Sequence, residues 1–179
     1  MKNPSMTTRT TRRRAPGQRL GAIGMTAALG LFGGGALLQR CAPAPKPAPS
    51  IIPLGSEMVN LVNSYRAQNG VGPVSENAQL DSAAENHSID QAQRLTMTHT
   101  GWNGSTAGQR ISAAGFAWRT WGENVAVGQP TVAAVMTAWM NSAGHRANIL
   151  NPAFTSIGVA GSKGTNGAIY WTMDLAAGR

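Results

Sequence analysis

The one cysteine of this chain is Cys41, and none occurs from residue 42 to residue 179. The C-terminal part therefore has no disulfide and no thiolate metal site to hold it together. Whatever it folds into must be held by a buried apolar core. Residues 51–179 are enough chain to bury one as a single domain.

The formal net charge of +8 suggests a nucleic-acid binder until its distribution is read. Residues 1–50 carry eight basic side chains and no acid, whereas residues 51–179 carry seven of each sign. The basicity belongs to the N-terminus. No basic patch with interleaved aromatics, as phosphate-backbone recognition needs, is visible in the neutral body, which excludes a nucleic-acid partner.

The N-terminus reads as a targeting segment. "RTTRRRAPGQR" is a basic flank, followed by "LGAIGMTAALGLFGGGALL", residues 20–38, without a charge. This is the order of a secretory signal or an uncleaved signal anchor. The uncharged run is just long enough to cross a hydrocarbon layer of about 30 Å. The flank predicts an N-terminus kept in the cytoplasm and a body sent outward. Residues 1–40 are read as signal peptide or anchor, with lipidation at Cys41 and a poorly matched twin-arginine signal at 11–13 as further fates. The membrane is then a partner only if this segment is retained or lipidated. The protein is expected in the periplasm, envelope or extracellular space. "APAPKPAPSIIP" places a Pro-rich tether in residues 41–55, extended and solvated.

In the body, Met58, Leu61, Val62 and Tyr65 recur at helical spacing from Ser56 to a stop at Asn69-Gly70. A second helix is expected over about 77–95, with Leu80, Ala84, His87 and Leu95 on one side. A third is expected over 131–141, where Val132, Val135, Met136, Trp139 and Met140 follow an uninterrupted helical stripe and Gly144 follows the end. The last 25 residues change period. "SIGVAGS" and "AIYWTMDLA" read as two strands joined by "KGTNG". Helices followed by too few strands for a βαβ repeat predict an α+β layer fold.

Three polar residues stand out. His99 lies in the polar, glycine-containing stretch "LTMTHTGWNG", where packing does not explain it. Glu123 lies in "WGENVAVG", beside Trp121 and ahead of an apolar run; buried there, it must be paired. His145 lies in "SAGHRANIL" after the third helix, either a site residue or a helix-terminal cation. His87 reads as a partly buried structural histidine. Two His and one Glu from separate segments suit a three-ligand site with an open position, although no HExxH motif is present. A nucleophile reading would use Ser142 with His145 and Glu123, but no G-x-S-x-G elbow accompanies Ser142.

Three segments, "HTGWNGSTAGQRISAAGFAWRTWGENVAVG", "TVAAVMTAWMNSAGHRANILNPAFTSIGVA" and "YWTMDLA", together resemble the CAP superfamily of cysteine-rich secretory, antigen 5 and pathogenesis-related proteins, in its bacterial, disulfide-free branch. The likeness covers about residues 56–175, within a domain set at 56–177. It implies an α-β-α sandwich around an antiparallel sheet. It also implies a cleft with a tetrad of two His and two acids: His99, Glu123 and His145 match three of these, and Ser142 stands where the second acid would be. The resemblance implies zinc or another divalent ion held by His99 and His145. Loss of an acid at 142 weakens a general-base role more than metal binding. Arg146 and Asn148 are expected to be structural.

The leading functional expectation is an exported or envelope-anchored binding module whose cleft takes a small apolar ligand, a glycan or an envelope partner. The alternatives are a metal-assisted hydrolase of peptide or wall material and a structural or adhesion domain whose His-Glu cluster is a stabilising network.

Overall fold

The computed structural model describes residues 47–52, 54 and 56–179. The signal or anchor segment, Cys41 and the first part of the Pro-rich tether lie outside the described residues.

The layering follows from the period-2 pattern of the last strand. In "IYWTMDLAAG", Trp171, Met173 and Leu175 alternate with Thr172, Asp174 and Ala176, and successive strand side chains point to opposite faces. Both sets are buried, so this strand must be covered on both sides. It runs Ile169–Gly178 and occupies a central place in the sheet. In chain order the strands are β1 (Ser50–Ile52), β2 (Ser75–Glu76), β3 (Trp118–Val127), β4 (Ser156–Lys163) and β5 (Ile169–Gly178). Four of them stand in the order β1-β4-β5-β3, every neighbouring pair antiparallel; the two-residue β2 adds to β4 in parallel.

The helices are α1 (Glu57–Gln68), α2 (Ala78–Arg94), α3 (Ala107–Ala113), α4 (Val132–Met140) and α5 (Ala143–Ile149). Met58 and Val62 of α1, Val135, Met136 and Trp139 of α4 and Ile149 of α5 pack with Trp171, Met173 and Leu175 into the larger core. Leu80 and Ala83 of α2, Ile111 of α3 and Phe116 form a smaller core with Ala176 on the opposite face. The result is the expected α-β-α sandwich with an antiparallel sheet in the middle.

The second layer is more polar and closer. Ser88 donates to Ala160 O at 3.1 Å and to Thr172 Oγ1 at 3.0 Å, and Gln91 Nε2 donates to the same hydroxyl at 3.0 Å. The approach of α2 to β4 depends on Gly158: a Cβ there would collide with the backbone of Leu80 and Asp81. Asp81 Oδ1 accepts from Val159 N at 3.0 Å and fixes the same contact.

Five elements were not expected from the sequence. The stretch between His99 and Glu123 contains α3, started by a capping box between Thr106 and Gln109. The stretch around Glu123 is the ten-residue strand β3. His145, placed after the third helix, lies within a further helix, α5. Ser75–Glu76 forms β2 against β4. The tether is not solvated to its end, because Ser50–Ile52 pairs with Ser162, Lys163 and Gly161 of β4. Leu95, assigned to the buried side of α2, is instead its left-handed C-cap (φ 53°) and is part-exposed.

One cation is buried without a carboxylate. Arg66, 1% exposed, donates from Nε to Gly72 O (2.6 Å), from Nη1 to Ile149 O (2.8 Å) and Asn151 O (3.0 Å), and from Nη2 to Phe154 O (3.0 Å). The planar fork thus closes the carbonyl-rich ends of α1 and α5 against each other. Arg66→Leu should leave four carbonyls without their donor and cost about 3–5 kcal/mol, read as a lowered urea midpoint. A loss below about 1 kcal/mol would show that water replaces the guanidinium. Gly158→Ala should cost about 1–3 kcal/mol by forcing α2 off the sheet; an unchanged midpoint would disprove the close approach.

Candidate functional site

Gly122, Glu123 and Asn124 occupy consecutive positions of β3, and alternation sends them to different tasks. Gly122 is small because Asn148 Oδ1 and a ring carbon of Phe154 would each stand 3.0 Å from a Cβ there. Asn124 Nδ2 donates to His145 O at 3.1 Å, and Asn148 Nδ2 donates to Asn124 Oδ1 at 2.9 Å and to Glu123 O at 3.2 Å. These bonds tie α5, and with it His145, to β3. Glu123 faces the α2 layer with a side chain only 2% exposed.

A carboxylate so buried needs partners, and it has two. Oε1 accepts from His99 Nδ1 at 2.7 Å, and Oε2 accepts from Arg110 Nη2 of α3 in a short ion pair. Arg110 Nη1 also donates to His99 O (3.1 Å) and Ser105 O (2.9 Å), so one guanidinium pins both the acid and the loop that carries the imidazole. His99 Nδ1 is therefore the protonated nitrogen, and Nε2 is left to take a proton or another ligand. The bond to Glu123 holds the His99 imidazole above its usual pKa, against a smaller opposing effect of burial. His145 is pushed the other way, first by burial and then by the charge of His99. A charge on His99 thus makes a charge on His145 less favourable.

His99 and Glu123 are in contact, whereas His145 does not line the groove with them and is linked to His99 only through the effect of its charge. Ser142 is the N-cap residue of α5 and makes no side-chain cap bond. Asn148 is structural, as expected, and Arg146 Nη2 reaches Asn69 Oδ1 at 3.2 Å. A groove of about 440 Å3 runs over the site, lined by His99, Thr100, Thr106, Trp121, Glu123 and Asn148 among others.

Three further groups belong to the array, and sequence reasoning missed their part in it. Arg110 is the first cation after His99 on the way to Glu123, and that position was its only signal. Asp174 is the cross-strand partner of Glu123 in the β3–β5 ladder and is wholly buried, with neither carboxyl oxygen hydrogen-bonded among the described residues. Burial, reinforced by Glu123 and opposed by Arg110, raises its pKa well above the usual aspartate value. A lone acid inside the apolar run "YWTMDLA" is the signal that marks it. His87 is structural in one sense: its Nε2 donates to Thr98 O at 2.7 Å and holds the His99 loop on α2. Its Nε2 also stands 3.9 Å from Glu123 Oε2, and burial lowers its pKa, so it is a neutral neighbour of the site.

Among the described residues no group of three or more His, Cys, Asp or Glu is placed to hold a metal ion. The three-ligand arrangement with Glu123 does not form, because both of its oxygens are engaged elsewhere. The two imidazoles alone remain as donors.

The comparisons with known proteins agree with this fold. The family model described as the cysteine-rich secretory protein family, CAP, matches residues 59–175. The uncharacterized protein YkwD of Bacillus subtilis is 38% identical over 103 residues, 58% of this chain and 40% of that protein. The uncharacterized membrane protein YlbC of the same organism is 25% identical over 103 residues, 30% of its length. The chain thus spans well under half of the curated relatives it matches. An extracellular protein containing a SCP domain from Bacillus anthracis superposes with a TM-score of 0.61 at 27% identity, covering 68% of this chain and 39% of that one. An outer surface protein from Borrelia burgdorferi gives 0.66 at 22% identity, covering 73% of this chain and 99% of that one, a likeness of fold.

The opposed shifts of the two imidazoles give a direct test. In a histidine-resolved NMR titration His99 should titrate above His145. Glu123→Gln should lower the His99 midpoint, since the charged acceptor is what favours its imidazolium. Identical midpoints, or no response to Glu123→Gln, would show that the His99–Glu123 bond does not persist in solution.

Proposed function

The chain belongs to the CAP, or cysteine-rich secretory protein, family, and from that premise we propose that it is an exported domain that binds a small ligand or an envelope component in the His99–Glu123–His145 cleft. Export is supported by the basic and uncharged N-terminal segments and by relatives described as extracellular and outer-surface proteins. The observation that carries binding over hydrolysis is the state of Glu123. It is the one carboxylate that lines the groove, and its oxygens already accept from His99 and Arg110. A base working through Glu123 would have to give up one of those bonds. With Ser142 in place of a second acid, the proton acceptor left in the groove is His99 Nε2, with no carboxylate but Glu123 beside it in the lining.

The His99–Glu123 pair orients a free Nε2 toward whatever approaches, and Thr100, Thr106 and Trp121 supply hydroxyls and an apolar wall. Native mass spectrometry of full chain isolated from an envelope-bearing host should show a retained ligand mass that His99→Ala loses. Turnover of casein or purified peptidoglycan that disappears in Glu123→Gln would overturn the binding reading in favour of a hydrolase.

One feature favours a second reading, a divalent cation on His99 and His145. A carboxylate on the far nitrogen of an imidazole is the usual way a metal-binding histidine is oriented. The donor set fits only a two-imidazole site completed by solvent, so no chemical step is routed through it here; a bound ion would add Lewis acidity and positive charge to the cleft. Zinc calorimetry on the full chain tests it. Protonation of His99 competes with the ion, and its raised pKa extends that competition upward, so binding should be stronger at pH 8 than at pH 6. Loss of the heat in both His99→Ala and His145→Ala is expected; absence of heat in the wild type at pH 8 would eliminate the ion.

A further inference from the structure

Trp102 is 77% exposed, far more than the other exposed large apolar side chains, Met97, Ile51 and Leu95. It is not on a loose segment. Its backbone N donates to Asp90 Oδ2 at 3.0 Å, and Asp90 is itself held by Arg94 through bonds of 2.8 Å and 2.6 Å. The turn around it closes through Gly101 N to Ser105 O (2.9 Å), Gly104 N to Gly101 O (2.8 Å) and Ser105 N to Asn103 Oδ1 (3.0 Å). Gly104 supplies the positive φ, +81°, that the turn requires. An indole held out in water by a fixed backbone loses little entropy when something stacks on it.

Beside the indole lies a pocket of about 270 Å3 between α2 and α3, a different face of the loop from the groove over His99 and Glu123. It is below the roughly 300–1,000 Å3 of sites for drug-sized ligands, and suits one ring rather than a chain. Its rim carries Ser82, Asn86, Asn103 and Ser105, all neutral. Its charged lining is already balanced: Asp90 by Arg94, and Arg110 by Glu123. His87, at the base, is held neutral by burial. No net charge is left to recruit an ion.

From the pinned, exposed indole and the neutral amide and hydroxyl rim, we propose that the Trp102 pocket is a carbohydrate subsite that takes one pyranose ring of a neutral glycan. A pyranose has an apolar C–H face for the indole and a belt of hydroxyls that both donate and accept. Asn86 and Asn103 Nδ2 make no hydrogen bond within the described residues, so they are free to meet such hydroxyls. The subsite is separate from the proposed function of the cleft: it does not need His99 or His145, and it stands or falls without them.

The test is a titration of the full chain, uniformly 15N-labelled and kept in a detergent without a sugar headgroup, with cellotriose and with the trimer of N-acetylglucosamine. The Trp102 indole resonance, assigned by its absence in Trp102→Ala, should move saturably with at least one trimer. The backbone response of the Gly101–Ser105 turn should vanish in Trp102→Ala, and affinity should fall about tenfold in Asn86→Ala, the scale of one lost ring or amide contact. His99→Ala should leave the titration unchanged. The other four indole resonances report whether each variant is folded. The proposal is overturned if neither trimer moves the Trp102 resonance, if the turn responds equally in Trp102→Ala, or if the resonance moves only with phosphatidylcholine vesicles, which would make the indole a lipid contact.

Discussion

The arrangement of one whole side of this domain follows from the burial of a single carboxylate. Glu123 is set on the inner face of β3, where a negative charge without partners is costly enough to be neutralised or expelled. It is kept by drawing in two hydrogen-bond donors from segments far from it in sequence: a histidine on the loop after α2 and an arginine on α3. Arg110 holds the His99 carbonyl as well as the acid, so the loop, the helix and the strand share one electrostatic centre. Asp174 shows the other outcome. One strand away, with neither oxygen hydrogen-bonded among the described residues, its proton is held more tightly than in a solvated aspartate.

The sheet separates two kinds of interior. On the α1–α4–α5 side it meets a conventional apolar core of Trp139, Trp171, Met136 and Leu175, closed by the Arg66 fork on helix-end carbonyls. On the α2–α3 side the apolar cluster is small, and hydroxyl, amide and ionisable groups fill the rest. β5 serves both, because its alternation matches each layer. The candidate site stands at the edge strand β3, where the two layers come within reach of each other. His99 comes from one layer and His145 from the other.

Much of this was legible in the chain itself. The stripe of Val132, Val135, Met136 and Trp139 and the alternation of the last strand gave long periodic signals, and those elements stand where their patterns place them. The polar stretch "LTMTHTGWNG" pointed to His99, and the Gly-Glu-Asn and Gly-His-Arg segments to Glu123 and His145. What escaped was short or tertiary. α3 has seven residues, one of them Gly108, too few for a periodic stripe, although Thr106 and Gln109 carry its start signal. β3 is buried on both faces along its second half, so it shows no alternation there and could not be told from an apolar loop. α5 begins only two residues after α4 ends, and the pair reads as one helix and a turn. The parts of Arg110 and Asp174 depend on strand register and helix packing, which no local pattern encodes.

The short strand β1 has a mechanical meaning. Only three residue pairs join it to β4, at the edge of the sheet and outside both cores. A pull arriving through the Pro-rich stretch before Ser50 meets those few hydrogen bonds before it meets any packed layer. Tension on the N-terminal side of the domain would therefore be felt first at β1, ahead of α1 and the rest of the sheet.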